Sequence, residues 1–161
     1  MRTIAIVNQK GGCGKTTTAI NLAAVLARRG RRTLLVDMDP QSHCAAGLGV
    51  PESSVTRGVG EILLGDLDRP LDGSTFLWEV SRNLHLAPST VSLAALEAAS
   101  GGLSSLPDRD RRLARMLAWL EPRFDLCIVD CPPTIGLLTF NALRAAQEAI
   151  VPVETGYFSF R

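Results

Sequence analysis

A glycine-rich segment between an apolar run and a helical pattern constrains this chain more than any other feature. The apolar run covers residues 2–7, and the segment reads Gly11-Gly12-Cys13-Gly14-Lys15-Thr16-Thr17. Apolar residues at helical spacing then predict a helix over residues 15–29. Glycines let successive backbone N–H groups converge on one anion, because no Cβ obstructs the approach. A strand, this loop and a helix N-terminus together predict a P-loop that binds the phosphates of a nucleotide.

The polar side chains of the loop predict ATP and Mg²⁺ as its ligands. We expect Lys15 to contact the β- and γ-phosphates, the Thr16 hydroxyl to ligate Mg²⁺, and Thr17 to donate to the α-phosphate. The backbone amides expected around the phosphates belong to Gly11, Gly12, Cys13 and Gly14. The strict P-loop pattern fails at its first glycine, which is Gln9 here. A glycine-rich turn that only caps a helix is the alternative, and it does not explain the run Gly-Lys-Thr-Thr.

The use of lysine supports a phosphate site. Of 17 basic residues only Lys10 and Lys15 are lysines, and all the others are arginines. A compact ammonium group on a flexible stem can enter a tight loop between phosphate oxygens, which a planar guanidinium cannot do. Because both lysines fall within the same short segment, we expect both to act on phosphate.

The remaining sequence alternates strand-like apolar runs with helical patterns. Strands are predicted at residues 2–7, 33–36, 83–88, 125–129 and 149–153, and helices at residues 15–29, 91–99, 107–121 and 137–146, with loops around short helices over residues 41–75. This alternation predicts an α/β fold, a doubly wound and mostly parallel sheet with helices on both faces. At this length, residues 1–161 are expected to form a single domain.

Three aspartates follow predicted strands at one edge of this sheet. Asp130 comes directly after residues 125–129, and Asp37 and Asp39 follow residues 33–36. The carboxyl ends of parallel strands meet at the same edge, so Asp130 is expected to hold Mg²⁺ directly or through water. One of the other two aspartates is expected to face the nucleotide and the other to face elsewhere.

Composition excludes several other kinds of protein. No apolar stretch approaches the length of about 20 residues that spans a bilayer, and the run Thr3–Val7 is too short for a signal peptide. We therefore expect a cytoplasmic protein without a membrane segment. The cysteines form no Cys-x-x-Cys pair, and we interpret them as reduced, buried thiols instead of metal ligands. These four cysteines are Cys13, Cys44, Cys127 and Cys131.

Charge gives little indication of a nucleic-acid partner. The formal net charge is +1, with no basic tail. Arginines cluster on one face of the helix predicted at residues 107–121, where a solvated surface is favoured over a DNA-contacting stripe. They are Arg109, Arg111, Arg112 and Arg115.

Three motifs in order resemble the ParA/MinD family of deviant Walker ATPases. They are Gln9–Thr17, Val36–Gln41 and Ile128–Pro133, and the resemblance extends from Ile4 to Phe158. Asp39-Pro40-Gln41 is more similar to the Soj-like ParA branch, which partitions chromosomes and plasmids, than to the MinD branch.

The resemblance implies a P-loop ATPase that works as a dimeric switch. Lys10 resembles the signature lysine that reaches the phosphates of the partner subunit, and Lys15 the lysine of the loop itself. Asp39 matches the switch I aspartate that helps to position the attacking water, and Asp130 the Walker B aspartate. ATP is expected to close a homodimer, closure to license binding to cargo or non-specific DNA, and hydrolysis with a ParB-like activator to release it.

Members of this family continue beyond Phe158, so a C-terminally shortened chain is expected, without the part that supplies adenine contacts and much of the DNA-binding surface.

One alternative is a biosynthetic P-loop enzyme of the cobyrinate or dethiobiotin synthase type, and another is a nucleotide-binding fragment without turnover. A nitrogenase-reductase-like role is disfavoured, because no cysteine lies between Cys44 and Cys127 to complete an iron–sulfur site with Cys131.

Overall fold

A computed structural model describes residues 1–97 and 102–155. The strands are β1 (Arg2–Ile6), β2 (Thr33–Asp37), β3 (Trp78–Ser81), β4 (Leu84–Ala87), β5 (Leu126–Asp130) and β6 (Glu148–Ile150). The α-helices are α1 (Lys15–Arg28), α2 (His43–Gly47), α3 (Val59–Leu64), α4 (Arg112–Leu120) and α5 (Leu137–Ala145). Short 3₁₀ helices cover Glu52–Ser54, Gly73–Thr75, Val91–Glu97, Gly102–Ser105 and Glu121–Arg123.

The strands form one six-stranded sheet in the order β3-β4-β2-β5-β1-β6. All neighbouring pairs are parallel except β3 with β4. Strand β5 lies between β1 and β2, so its last residue, Asp130, is in register with Ile6 on one side and Asp37 on the other. The expected doubly wound, mostly parallel sheet is confirmed, and its central strands end together at one edge.

Two apolar cores cover the two faces of the sheet. On one face, alternate strand residues such as Leu34 and Val36 pack with α3, α4 and α5. On the other face, Leu35 packs with α1, whose contacting residues are alanines at a spacing of four, namely Ala19, Ala23 and Ala27. These small side chains let the helix that follows the glycine-rich loop lie close to the sheet. Helices therefore occupy both faces, as the sequence predicts.

The sequence prediction missed one strand and misplaced another. Trp78–Ser81 forms an antiparallel edge strand, joined to β4 by a tight turn in which Asn83 has a positive φ of 66°. Its side chains alternate between half-buried and exposed, a pattern too short to stand out from the neighbouring loops. The last described strand ends at Ile150 instead of residue 153, and Pro152, which lacks an N–H group, lies just beyond it.

Two predicted helices also differ. The helix expected from residue 107 begins at Arg112, because Pro107–Arg111 forms turns in which the Arg111 N–H donates to the Asp108 carbonyl. The expected helix over residues 91–99 is a 3₁₀ helix over Val91–Glu97, and residues 98 and 99 lie outside the described ranges.

The interpretation of a solvated arginine face is wrong for Arg112. Its side chain is buried and donates to the Leu63 carbonyl at 2.7 Å and to the Gly65 carbonyl, which closes the C-terminal end of α3. Asp108 pairs with the same guanidinium. Within residues 1–97 and 102–155, no helix has the length and apolarity that a bilayer crossing requires.

Candidate functional site

The loop between β1 and α1 has the backbone conformation of an anion cradle. Gly12 and Gly14 have positive φ angles of 74° and 86°, which side chains with a Cβ rarely adopt. Apart from the adjoining residues, no heavy atom in the described part of the chain lies within 4 Å of the positions that a Cβ would take on Gly11, Gly12 or Gly14. The loop thus leaves open space next to the first turn of α1, whose N–H groups carry the positive end of the helix dipole.

The other loop residues lie at the mouth of this cradle. Cys13 is half-buried between the two glycines with positive φ. Thr17 lies in the first turn of α1, exposed, and its carbonyl accepts a hydrogen bond from the Asn21 amide. The structure therefore places the predicted cradle residues along one continuous turn.

Lys15 is buried within this loop. Its side chain curls back along the loop, and its Nζ donates to the Lys10 carbonyl at 3.2 Å. A buried ammonium that donates to one neutral carbonyl among the described residues retains donors for an anion. This geometry suits a lysine that binds a phosphate group in the loop.

Thr16 and Asp130 join the loop to the end of β5. The Thr16 hydroxyl donates to Asp130 Oδ2 at 2.6 Å. The Asp130 carboxylate is fully buried, and its second oxygen, Oδ1, has no hydrogen-bond partner among the residues described. Burial raises the pKa of Asp130, because the charged form loses its hydration. A hydroxyl and a carboxylate oxygen without a partner are donors that suit Mg²⁺, which prefers oxygen ligands.

Asp37 lies beside Asp130 and organises the loop that follows β2. Its two carboxylate oxygens accept the N–H groups of Asp39 at 3.0 Å and Cys44 at 3.1 Å. Burial, and then the charge of Asp130, raise the pKa of Asp37 to about 7. Asp39 is itself nearly buried, and one of its oxygens accepts the Gln41 N–H at 2.9 Å. The two aspartates therefore have different surroundings, one against β5 and one within its own turn.

Lys10 is the predicted site residue that the structure does not direct into the loop. Its ammonium forms an ion pair with Glu154 Oε2 at 2.6 Å, and both side chains are substantially exposed. The Lys10 N–H donates to Asn8 Oδ1, and the Asn8 amide donates to the Pro152 carbonyl at 2.7 Å. Lys10 is thus held on the outer side of the loop, next to the segment that follows β6.

Cys44 is a site residue that sequence reasoning did not identify. Its thiol lies 3.5 Å from Asp130 Oδ2, and its backbone N–H binds Asp37. No motif spacing links the three residues, because their contact depends on the pairing of β2 with β5 and on the start of α2.

The raised pKa of Asp37 predicts a pH-dependent stability. Between the unfolded value of 3.8 and about 7, the unfolded state releases the proton first, so the free energy of unfolding falls as pH rises through this window. The full effect is at most about 4 kcal/mol. Asp37→Asn removes this dependence. Urea titrations should therefore show that the free energy of unfolding of the variant rises relative to that of the native chain between pH 4.5 and 7.5.

Asp125→Asn is the matched control. The Arg32 side chain and N–H hold the pKa of Asp125 down at about 2, so its contribution is lost only when the pH falls below about 4. The difference in free energy of unfolding between Asp125→Asn and the native chain should stay constant over the same pH window. Parallel pH curves for native chain and Asp37→Asn would contradict the assignment.

The chain is similar to known proteins over nearly its whole length. A family model described as an AAA domain matches residues 1–161. The chromosome partitioning protein ParA of Myxococcus xanthus is 46% identical over 158 residues, which cover 98% of this chain and 54% of the relative. The chain therefore spans about half the length of this curated relative.

Two solved structures share the fold over 99% of the chain. A structure described as cobyrinic acid a,c-diamide synthase of Mycobacterium smegmatis with a bound ATP analogue and magnesium has a TM-score of 0.86 and 39% identity, and the match covers 65% of that chain. A plasmid partition protein of Borrelia burgdorferi has a TM-score of 0.80 and 26% identity, with 67% of its chain covered. The matches thus include both partition proteins and a protein with a biosynthetic name.

Proposed function

Because this chain belongs to the ParA/MinD family of deviant Walker ATPases, we propose that it binds ATP with Mg²⁺ and hydrolyses it as a dimeric switch of the partitioning branch. One observation carries the proposal: the 2.6 Å hydrogen bond from the Thr16 hydroxyl to Asp130 Oδ2 joins the glycine-rich loop to the neighbouring strand end. This contact brings a hydroxyl and a carboxylate together beside a buried lysine, and this arrangement supports the binding of a nucleotide with its cation.

Each residue of the site has a separate role in this proposal. The amides of the loop and the Lys15 ammonium bind and orient the phosphates, and Thr16 with Asp130 hold Mg²⁺. When bound, Mg²⁺ neutralises phosphate charge that develops during hydrolysis. Asp39 orients the attacking water, and the Asp37 carboxylate fixes its position through the bond to the Asp39 N–H.

Dimerisation requires Lys10 to change partner. In the single chain its ammonium binds Glu154, an exposed ion pair of the kind that contributes little to stability. Exchange of this carboxylate for the phosphates bound to a partner subunit therefore costs little free energy. The exchange forms several charge-assisted hydrogen bonds. Non-specific DNA and a ParB-like activator are the partners that the partitioning role implies, with a cytoplasmic location.

Lys10→Ala tests the dimeric switch. We expect the variant to bind a non-hydrolysable ATP analogue within about threefold of the native affinity, but to dimerise at least about tenfold more weakly, because one charge-assisted hydrogen bond contributes about 1.5–3 kcal/mol. Sedimentation equilibrium with and without the analogue measures this. Glu154→Gln is the control, since it removes the competing carboxylate but keeps Lys10, and it should dimerise at least as well as the native chain. Undiminished dimerisation of Lys10→Ala would contradict the proposal.

A biosynthetic ATPase is the second candidate, favoured by the match to the Mycobacterium smegmatis structure. The name of that protein indicates amide formation on an acid, so for this candidate we expect ATP consumption to depend on an acceptor carboxylate. The two candidates differ in what stimulates phosphate release: DNA for the switch, or a corrinoid carboxylate with an amide donor for the synthase. A nucleotide-binding chain without turnover would bind ATP in a titration and release no phosphate under either condition.

A further inference from the structure

We propose that Asp37, Cys44 and Asp130 form a binding site for a thiophilic divalent cation such as Zn²⁺, adjacent to the Mg²⁺ position at Thr16. One ligand atom from each of the three side chains lies within 4.8 Å of the other two, and all three residues are buried. The site shares Asp130 with the proposed ATPase machinery, but it depends on a thiol that ATP binding does not use.

The spacing of the donors suits such an ion. Cys44 Sγ and Asp130 Oδ2 are 3.5 Å apart. Sulfur and oxygen ligands of a tetrahedral zinc ion, with bonds of about 2.3 and 2.1 Å, are separated by about 3.6 Å. The cation would therefore enter between these two atoms without a change in their separation.

Each donor also has capacity for a further bond. Asp130 Oδ1 is a buried oxygen to which no described residue donates a hydrogen bond. The oxygens of Asp37 each accept one N–H group, which leaves a second lone pair on each. The bond between the Cys44 N–H and Asp37 holds the start of α2 against β2, so the thiol is positioned before a cation arrives.

The donor types select the kind of cation. Two carboxylates buried side by side repel each other, and a divalent cation between them removes this repulsion. A thiolate ligand favours zinc, cadmium or cobalt over Mg²⁺, which takes oxygen ligands. On binding, the Cys44 S–H bond breaks, its proton passes to solvent, and a sulfur–metal bond forms. Because Asp130 Oδ2 also accepts the Thr16 hydroxyl, the ion is expected to compete with Mg²⁺·ATP for this carboxylate.

Cobalt provides a direct test. The reduced, nucleotide-free chain is titrated with Co²⁺ alone, and we expect one equivalent to bind with the near-ultraviolet charge-transfer absorption of a thiolate–cobalt bond. Cys44→Ser should abolish this absorption and weaken binding at least about tenfold. Cys127→Ser, in which the changed thiol is buried in the apolar core on β5, should leave both unchanged.

Each result decides the proposal. Absence of the absorption in the native chain, its persistence in Cys44→Ser, or its loss in Cys127→Ser would overturn it. If Cys44→Ser does not fold, the native chain loaded with zinc is measured by X-ray absorption at the zinc edge. A zinc ion without a sulfur ligand would then overturn the proposal. Because no nucleotide is present, a failed titration leaves the proposed ATPase function standing, and an inactive ATPase leaves the cation site standing.

Discussion

Lys15→Ala is expected to weaken ATP binding by at least about 100-fold, because it removes two charge-assisted hydrogen bonds of about 1.5–3 kcal/mol each to the phosphates. In the structure the Lys15 ammonium is buried in the loop and donates to the Lys10 carbonyl. Loss of this group leaves the glycine cradle with neutral donors alone. The change should affect nucleotide binding far more than folding, since no carboxylate of residues 1–97 or 102–155 accepts a hydrogen bond from this buried ammonium. Isothermal titration with ATP and Mg²⁺ measures the effect.

Arg82→Ala is the matched control for this loss of positive charge. Arg82 lies exposed in the turn between β3 and β4, away from the edge of the sheet at which the glycine-rich loop lies. It should bind ATP as the native chain does. Similar affinities for Lys15→Ala and the native chain would show that the loop does not bind phosphate through this lysine.

Asp130→Asn is expected to reduce ATP turnover on the order of 100-fold while the chain remains at least as stable as the native one. The amide keeps an oxygen to accept the Thr16 hydroxyl but removes the negative charge that holds Mg²⁺. Burial already raises the pKa of Asp130, so the native charge is unfavourable for folding and its removal carries little cost. Phosphate release and urea unfolding at neutral pH measure the two effects separately.

Asp125→Asn makes the same chemical change just before the other end of β5. Its carboxylate pairs with the exposed Arg32, so turnover should be native-like and stability slightly reduced. Normal ATP hydrolysis by Asp130→Asn would show that Asp130 does not hold the Mg²⁺ of the nucleotide. A variant that is strongly destabilised would instead mean that the carboxylate is structural.

The loop and the central strands were predictable because their signals are local. The glycines, Lys15 and Thr16 are adjacent in sequence, and apolar runs indicate β1, β2 and β5 directly. Parallel pairing then requires that Asp130 lie near the loop. The short edge strand β3 was missed because its stability depends on antiparallel pairing with β4, which no local pattern reports.

The partners of Cys44 and Lys10 could not be predicted for a related reason. Cys44 meets Asp130 across 86 positions of the chain, and Lys10 meets Glu154 across 144. Both contacts require the complete sheet and the loop conformations around it. The interpretation of reduced, buried thiols therefore did not include the contact of Cys44 with Asp130, which depends on the anchoring of the first turn of α2 by Asp37.

The register of the three central strands also determines where related sequences can differ in length. Asp130 meets Ile6 on one side and Asp37 on the other, so a one-residue deletion within β5 would turn the aspartate to the opposite face and separate it from Thr16. Residues 41–75 connect the strands through loops and short helices, where added residues leave this register intact. Natural insertions and deletions should accumulate there, and the strand lengths on either side should remain constant.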